Sequence, residues 1–356
     1  MPDGVFVSDD MTNSENPSVA VILPVYNTAR YLGECLDSLL AQTYGNFTVF
    51  AVDDGSTDGS SSILDQFAGK DGRIRAIHKQ NGGVSSARNA ALGAIDASGL
   101  FDLVCFVDSD DTVKPNFLKT YVDAFLTYGA DYIVCGFEYF GKHGPVHKLE
   151  DFDTLPLTKI TRDEAFNHLF KLNDWEKLRL PSNSWFLLNR CFTWNDIKAE
   201  RFNESLRIAE DQDFLLRVMR NIENGVVLND ITYQYRFRAS SLCNVPSKRF
   251  DDLEMTMALI SEIESWPESA RFGIVAKARS NWWQAVKATT MSGAFESHRK
   301  ILDNAHRVLK KFDYKNNDKN KFNKRSTLYT MGPRLLKIYF ILTNKKGKYD
   351  TSTAYD

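Results

Sequence analysis

Several features that would settle the class of this 356-residue chain at once are missing from it. No run of about 18 apolar residues occurs, so the chain is not expected to cross a membrane. Residues 1–17 are polar and acidic, without the basic and then apolar pattern of a secretion signal, and read as a flexible lead. Cysteine is scarce. The five, Cys35, Cys105, Cys135, Cys191 and Cys243, are odd in number, widely scattered and mostly set in apolar runs. That argues against a disulfide framework and for buried thiols in a reducing, cytoplasmic compartment. With no Cys-x-x-Cys pair and no Cys/His cluster, nothing suggests zinc.

What remains is ordinary for a globular protein: 43% hydrophobic and 25% charged residues, enough chain for a main domain and a smaller unit. The formal charge of −2 hides an asymmetry. Between Arg307 and Lys348 stand thirteen basic residues against two acids.

The first part of the chain alternates apolar runs with helical patterns. Val19 to Val25 reads as a strand and Ala29 to Ala41 as a helix. Phe47 to Val52 is a second strand, followed by Asp53-Asp54-Gly55-Ser56-Thr57-Asp58-Gly59 and a helix over Ser61 to Phe67. Ile74 to His78 is a third strand, followed by Asn81-Gly82-Gly83 and a helix from Ser85 to Ile95. Leu103 to Val107 is a fourth, Pro115 suits the first turn of a helix running to Tyr128, and Tyr132 to Phe137 is a fifth. Such alternation predicts an α/β fold, a mainly parallel, doubly wound sheet with right-handed crossovers. Ligands bind such sheets at the carboxyl ends of the strands. Pro24-Val25-Tyr26-Asn27, Asp53-Asp54 and Asp108-Ser109-Asp110-Asp111 all fall there.

Three carboxylates in four positions repel one another unless a cation or a solvated turn absorbs the charge. Asp108-Ser109-Asp110-Asp111 is therefore either a divalent metal site or a capping turn. The ordered set of motifs resembles the inverting nucleotide-sugar glycosyltransferases of family 2, over roughly residues 18 to 241. It comprises the Pro-Val-Tyr-Asn start, Val52-Asp53-Asp54-Gly55-Ser56-Thr57-Asp58, Asn81-Gly82-Gly83 leading to Ala87-Arg88-Asn89, Asp108-Ser109-Asp110, and Glu210-Asp211.

The resemblance implies the GT-A fold, Rossmann-like, over residues 18–244, with a donor half (18–140), an acceptor half (141–244) and a helical, basic extension (245–356). It implies a nucleotide-sugar donor bound by Pro24, Tyr26, Asp54, Arg88, Asp108, Arg236, Arg238 and Ser240. Tyr26 would offer an aromatic face and Asp54 would accept the uracil N3 proton, which favours UDP-sugars. Arg88 would contact phosphate or ribose, and Arg236 with Arg238 the pyrophosphate, although histidine is common where Arg238 stands. Asp108 would lie near the ribose and, with Asp110 as the main ligand, hold Mn²⁺ or Mg²⁺, leaving Asp111 to cap the next helix. Asp211 would deprotonate the attacking hydroxyl, supported by Glu210, with Asp213 a competitor; opening a helix favours negative charge there. Trp185 either stacks on an acceptor sugar or belongs to the core.

The expected acceptor is a glycan or lipid-linked saccharide in surface-polysaccharide or cell-wall glycan synthesis. The basic stretch 307–348 either lies on an anionic membrane, at the inner face of the plasma membrane, or packs as a terminal helix with a solvated basic face. Nucleic acid is not expected, since no recognised module accompanies the charge. Two rivals stand: a catalytically inactive saccharide-binding relative, and a nucleotidyltransferase. The latter would normally need a Gly-rich basic loop where Pro24-Val25-Tyr26-Asn27 stands.

Overall fold

The computed structural model describes residues 15–140, 158–165, 187–206, 209–236, 248–266, 268–312 and Pro333. The chain divides into two compact units, Met1–Ser241 and Leu242–Asp356. In the first, β1 (Val19–Val25), α1 (Ala29–Leu40), β2 (Phe47–Asp53), α2 (Ser60–Lys70), β3 (Ile74–His78), α3 (Val84–Ser98) and β4 (Leu103–Phe106) alternate as the sequence predicts. There follow β5 (Thr112–Val113), α4 (Phe117–Tyr128), β6 (Tyr132–Phe140), β7 (Thr158–Thr161), β8 (Arg190–Thr193), the short α5 (Trp194–Ile197), α6 (Glu210–Val218) and β9 (Asn224–Arg236).

The strands form one sheet in the order β3-β2-β1-β4-β8-β6-β9-β5, with β7 paired to β9. Strand β1 lies in its interior, parallel to β2 from Val19↔Phe47 and to β4 from Val19↔Leu103. Its apolar residues are buried on both faces, as an unbroken apolar run requires. Val19, Val21, Leu23 and Val25 join Leu32, Cys35, Leu36 and Leu39 of α1 and Phe117, Leu118, Tyr121 and Val122 of α4 in one core cluster. A second apolar layer holds Phe106, Phe192, Phe202 and Phe214, whose rings meet edge to face except for Phe202 and Phe214, stacked at 4.0 Å and 5°.

Proline inside a central strand is normally excluded, because it cannot donate to the ladder. At Pro24 the geometry removes the conflict. Ile22 accepts from Val107 N on the β4 side, and Pro24, two residues on, faces that side beyond the last β1–β4 pair, Ile22↔Phe106. No donor is missed.

The parallel expectation describes β3, β2, β1 and β4; beyond them the sheet is mixed. Strand β8 is antiparallel to both β4 and β6, while β9 is parallel to β6 and antiparallel to β5 and β7. The expectation rested on strand–helix alternation, and that signal ends at β6. Helix α4 begins at Phe117 with Asn116 at its N-cap, so Pro115 stands before the first turn rather than in it.

The second unit contains α7 (Lys248–Ser261), α8 (Glu268–Met291) and α9 (Phe295–Leu309), in keeping with the expected helical extension. Trp282 is fully buried there, donating to Leu302 O at 2.8 Å and stacking on His306. Among the described residues no helix is long and apolar enough to cross a membrane. Of the basic stretch 307–348, only 307–312 and Pro333 are described.

Candidate active site

The carboxyl ends of β1, β2 and β4 deliver three loops to one edge, as the register of the parallel strands requires. The first two loops are laced together. Ser56 Oγ accepts from Asn27 N (3.1 Å), Asn27 Oδ1 from Thr57 N (2.8 Å), Ser60 Oγ from Thr28 N (2.9 Å) and Asp58 Oδ2 from Ala29 N (2.9 Å). Asn27 is held at φ 50°, a left-handed conformation that asparagine tolerates better than most residues. Beside it, Tyr26 leaves 51% of its surface exposed at the strand end, while Pro24 closes the strand.

Asp53 accepts from Ser56 N (3.0 Å) and pairs with His78 Nδ1 (3.2 Å). Burial alone would raise its carboxyl; the hydrogen bonds from Ser56 and His78 outweigh that and hold it below the usual range. Asp54 is 2% exposed. Its Oδ1 accepts from Lys79 Nζ (2.6 Å) and Gly82 N (3.0 Å), and its Oδ2 from Gly82 N (3.1 Å) and Gly83 N (2.7 Å). A carboxylate has about four lone-pair directions, and three donors of the Lys79–Gly83 loop engage Asp54, the Gly82 amide shared between its two oxygens, which leaves room for at most one more donor such as uracil N3. A β-carbon at Gly55 would stand 2.9 Å from Asn81 N, which explains glycine at this φ 74° turn.

The third loop carries the acidic run. Asp108, Asp110 and Asp111 each offer a carboxylate oxygen, all within 4.8 Å of one another. Ser109 is buried beneath them, accepting from Thr28 Oγ1 at 3.0 Å. The capping role expected for Asp111 is not found, because α4 starts six residues later. Asp111 is instead 1% exposed and anchors β9: its Oδ2 accepts from Tyr233 Oη (2.7 Å) and its Oδ1 from Arg236 N (2.7 Å). The same Tyr233 oxygen accepts from Asp108 N at 3.1 Å. Burial, then Asp110 and Asp108, push the Asp111 carboxyl well up.

Arg236 closes the turn from the other side. Its Nε donates to Asp110 O (2.7 Å) and Nη2 to Glu34 (2.7 Å), and its guanidinium lies over the Phe140 ring at 4.2 Å and the Tyr31 ring at 4.9 Å.

Arg88 is the centre of the arrangement. It is 3% exposed and reaches three carboxylates from two distant segments: Nη2 to Asp108 Oδ1 (3.2 Å), Nη1 to Glu210 Oε1 (3.2 Å) and Nη1 to Asp211 Oδ1 (2.5 Å). Burial would lower its pKa, and the three acids, Asp211 foremost, more than reverse this. Asp108 is pushed up to about 6, by burial against the opposing pull of Arg88. Glu210 is pushed up to about 7, by burial and then by Asp211. The helix that carries Glu210 and Asp211 is entered through Ala209 at φ 69°, where a β-carbon is strained. Asp213 is bound to Arg217 at 2.7 Å, which separates it from this cluster.

The structure thus brings Asp108, Asp110, Glu210, Asp211, Arg88 and Arg236 into one network, with Asp54 and Tyr26 on the adjoining loops. Trp185, Arg238 and Ser240 lie outside the described residues. Sequence reading missed Lys79, Glu34 and the Tyr233 hydroxyl. Tyr233, Tyr235 and Phe237 alternate with polar residues, which signals a half-buried strand and not a site, and the other two carried no signal.

The oxygen donors of Asp108, Asp110 and Asp111 suit a hard divalent cation, Mn²⁺ or Mg²⁺, better than a soft one. Asp111 accepts one hydrogen bond on each oxygen, which leaves further acceptor capacity. The residues present therefore fit such an ion.

Residues 20–190 match the family model for glycosyl transferase family 2. The glycosyltransferase GlyG of Streptococcus pneumoniae serotype 4 is 33% identical over 230 residues, 63% of this chain and 72% of that protein. Among curated relatives the matched part ranges from 11% to 72% of the relative's own length, so the chain spans only a fraction of some of them. The crystal structure of S. aureus TarS 1-349 in complex with UDP-GlcNAc shares the fold at TM-score 0.60 and 21% identity, covering 82% of each chain. A mannosyltransferase of Pyrobaculum calidifontis, PcManGT, in complex with GDP-Man and Mn²⁺, matches at TM-score 0.51 and 18% identity, covering 94% of this chain and 88% of that one.

Proposed function

The chain belongs to glycosyltransferase family 2, with the GT-A fold, and from that premise we propose an inverting transferase that moves a sugar from a UDP-sugar to a hydroxyl of a glycan or lipid-linked saccharide. The observation that carries this reading is the convergence of the acidic turn after β4 and the acid-led start of α6 on one guanidinium. Asp108 and Asp211 lie on either side of Arg88, at 3.2 Å and 2.5 Å. Donor and acceptor chemistry would then meet across a few ångströms.

In this reading Asp211 accepts the proton of the acceptor hydroxyl, whose oxygen attacks the anomeric carbon as the bond to the nucleoside diphosphate breaks. The Oδ1 of Asp211 is bound to Arg88, which leaves Oδ2 as the oxygen that takes the proton. One displacement inverts the centre, so an α-linked donor gives a β-linked product. The nucleoside lies along the β1 and β2 loops, with the exposed ring of Tyr26 against the base. Asp110 and Asp108 would hold a divalent ion, which would supply positive charge to the departing diphosphate. Arg236 steadies the backbone of that turn, and Arg238 and Ser240 remain the candidates for the diphosphate itself.

UDP release from a panel of UDP-sugars with Mn²⁺, followed by NMR of the product anomer, tests the reading. Release with a β-anomeric product supports it; no release from any donor, or a retained configuration, rejects it. We further propose that residues 245–356 form a separate extension whose basic stretch, 307–348, meets anionic membranes where lipid-linked acceptors reside. Equal flotation with anionic liposomes by the full chain and by a chain ending near Arg307 would reject that part alone.

A further inference from the structure

Resemblance to the family assigns Arg88 to the donor, as a phosphate or ribose contact, and the structure gives it other work. Both η-nitrogens are engaged by carboxylates, and the guanidinium is buried. Nε is buried too, without a hydrogen-bond partner. A phosphate drawn to this cation would have to displace acids already packed against it.

Its surroundings are built to hold it. The guanidinium lies 5.2 Å from the centroid of the Phe202 ring, and Phe202 stacks at 4.0 Å on Phe214, a residue of α6 itself. The next residue repeats the theme with an uncharged side chain. Asn89 Oδ1 accepts from Phe202 N (2.7 Å), and its Nδ2 donates to Phe202 O (2.9 Å) and to Glu204 Oε1 (2.9 Å). Two consecutive residues of α3 therefore fasten both the segment leading to α6 and the acids at its start, while the same Arg88 reaches back to the turn after β4.

We propose that Arg88 is a positioning residue, which fixes the acid of α6 relative to the acidic turn after β4 and makes no contact with the donor. This rests on the transferase reading above, with Asp211 as base. A planar fork can serve Asp108 through one nitrogen and Glu210 with Asp211 through the other. Such a tie sets the separation between the proton acceptor and the donor's anomeric carbon, and a misplacement of about 1 Å at that separation costs roughly 100-fold in rate. Lysine keeps the charge and loses the fork, because a point charge cannot hold acids on both sides in one geometry.

The test compares Arg88→Lys with wild type in UDP-sugar turnover, donor KM and the calorimetric Kd of UDP with Mn²⁺. We expect kcat to fall about 100-fold or more, with KM and Kd within about threefold of wild type. A Kd weakened about tenfold with kcat retained would make Arg88 a donor ligand and overturn the proposal, as would an unchanged kcat. Should Arg88→Lys not fold, a crystal structure of wild type with UDP and Mn²⁺ decides: the guanidinium still bridging Asp108 and Asp211 supports the proposal, and its transfer to the diphosphate overturns it. A wild type that neither binds UDP nor releases it from any donor defeats the transferase reading itself, and this proposal with it.

Discussion

Two stretches of the same sheet edge are built from aspartates and stabilised in opposite ways. Around β1 and β2, Asp53, Asp54 and Asp58 accept from backbone amides, hydroxyls and single cations, and the carboxyls of Asp53 and Asp58 are held below their usual range. Around β4 and α6, Asp111 is buried and Asp108 and Glu210 are half-buried among other acids, and all three are raised. The difference lies in what surrounds the charge. Hydrogen-bond donors aimed at a carboxylate favour its ionised form, whereas burial beside other acids disfavours it even when one arginine is shared among them. The first stretch is complete as it stands. The second has more negative charge than Arg88 and Arg236 neutralise, and is therefore the place to which a divalent cation would be drawn.

Four substitutions would break or sharpen this contrast. Asp110→Ala acts on the second stretch and should have the largest effect, lowering Mn²⁺-dependent UDP-sugar turnover by roughly 10³-fold through several kcal/mol of lost charge stabilisation. Calorimetry should show the Mn²⁺ dependence of UDP binding lost with it; unchanged metal dependence would remove Asp110 from the ion.

Asp54→Asn acts on the first stretch. It replaces an acceptor of Lys79 and of two glycine amides, and denaturant titration should show a loss of about 2–4 kcal/mol. A loss below about 0.5 kcal/mol would mean that these donors do not stabilise the first stretch as described.

Glu210→Gln should do the opposite. An acid raised to about 7 in the fold, from 4.5, keeps its proton after the unfolded chain has released its own. Stability due to this group is therefore fully present at low pH and falls as pH rises from about 4.5 to 7. The variant should decline less across that window and exceed wild type by about 1–3 kcal/mol at pH 8. An equal decline in both proteins would contradict the burial argument.

Ala209→Gly is the smallest. It relieves the φ 69° conformation before α6, for a gain of about 1 kcal/mol or less. A fall in melting temperature would show that the alanine methyl matters more than the strain.

The parallel half of the fold was legible because its signals are local. Val19 to Val25 and Phe47 to Val52 are apolar on every residue bar one, which only a strand buried on both faces requires. Strands β8 and β9 gave no such signal. Arg190 heads the first, fully buried and bonded to Tyr132 Oη at 2.6 Å, and Asn224-Gly225 heads the second. The site was legible as a set of residues and much less as a set of contacts. Asp111 looked like a cap because the next helix is near in sequence, yet its partners are Tyr233 and Arg236, more than a hundred residues away. The resemblance implied a phosphate or ribose contact for Arg88, and nothing in its motif pointed to its acids at Glu210 and Asp211, which are equally distant in sequence. Spacing within a motif cannot report which far segment closes over it.

The central claim is that the acid at the start of α6 performs the proton transfer in sugar transfer from a nucleotide donor. Steady-state UDP-sugar turnover and calorimetric UDP binding by Asp211→Asn, beside wild type, test it most directly. The account predicts turnover reduced by roughly 10²–10⁴-fold with UDP affinity within about threefold of wild type. Turnover preserved in the variant, with UDP bound as before, would contradict it.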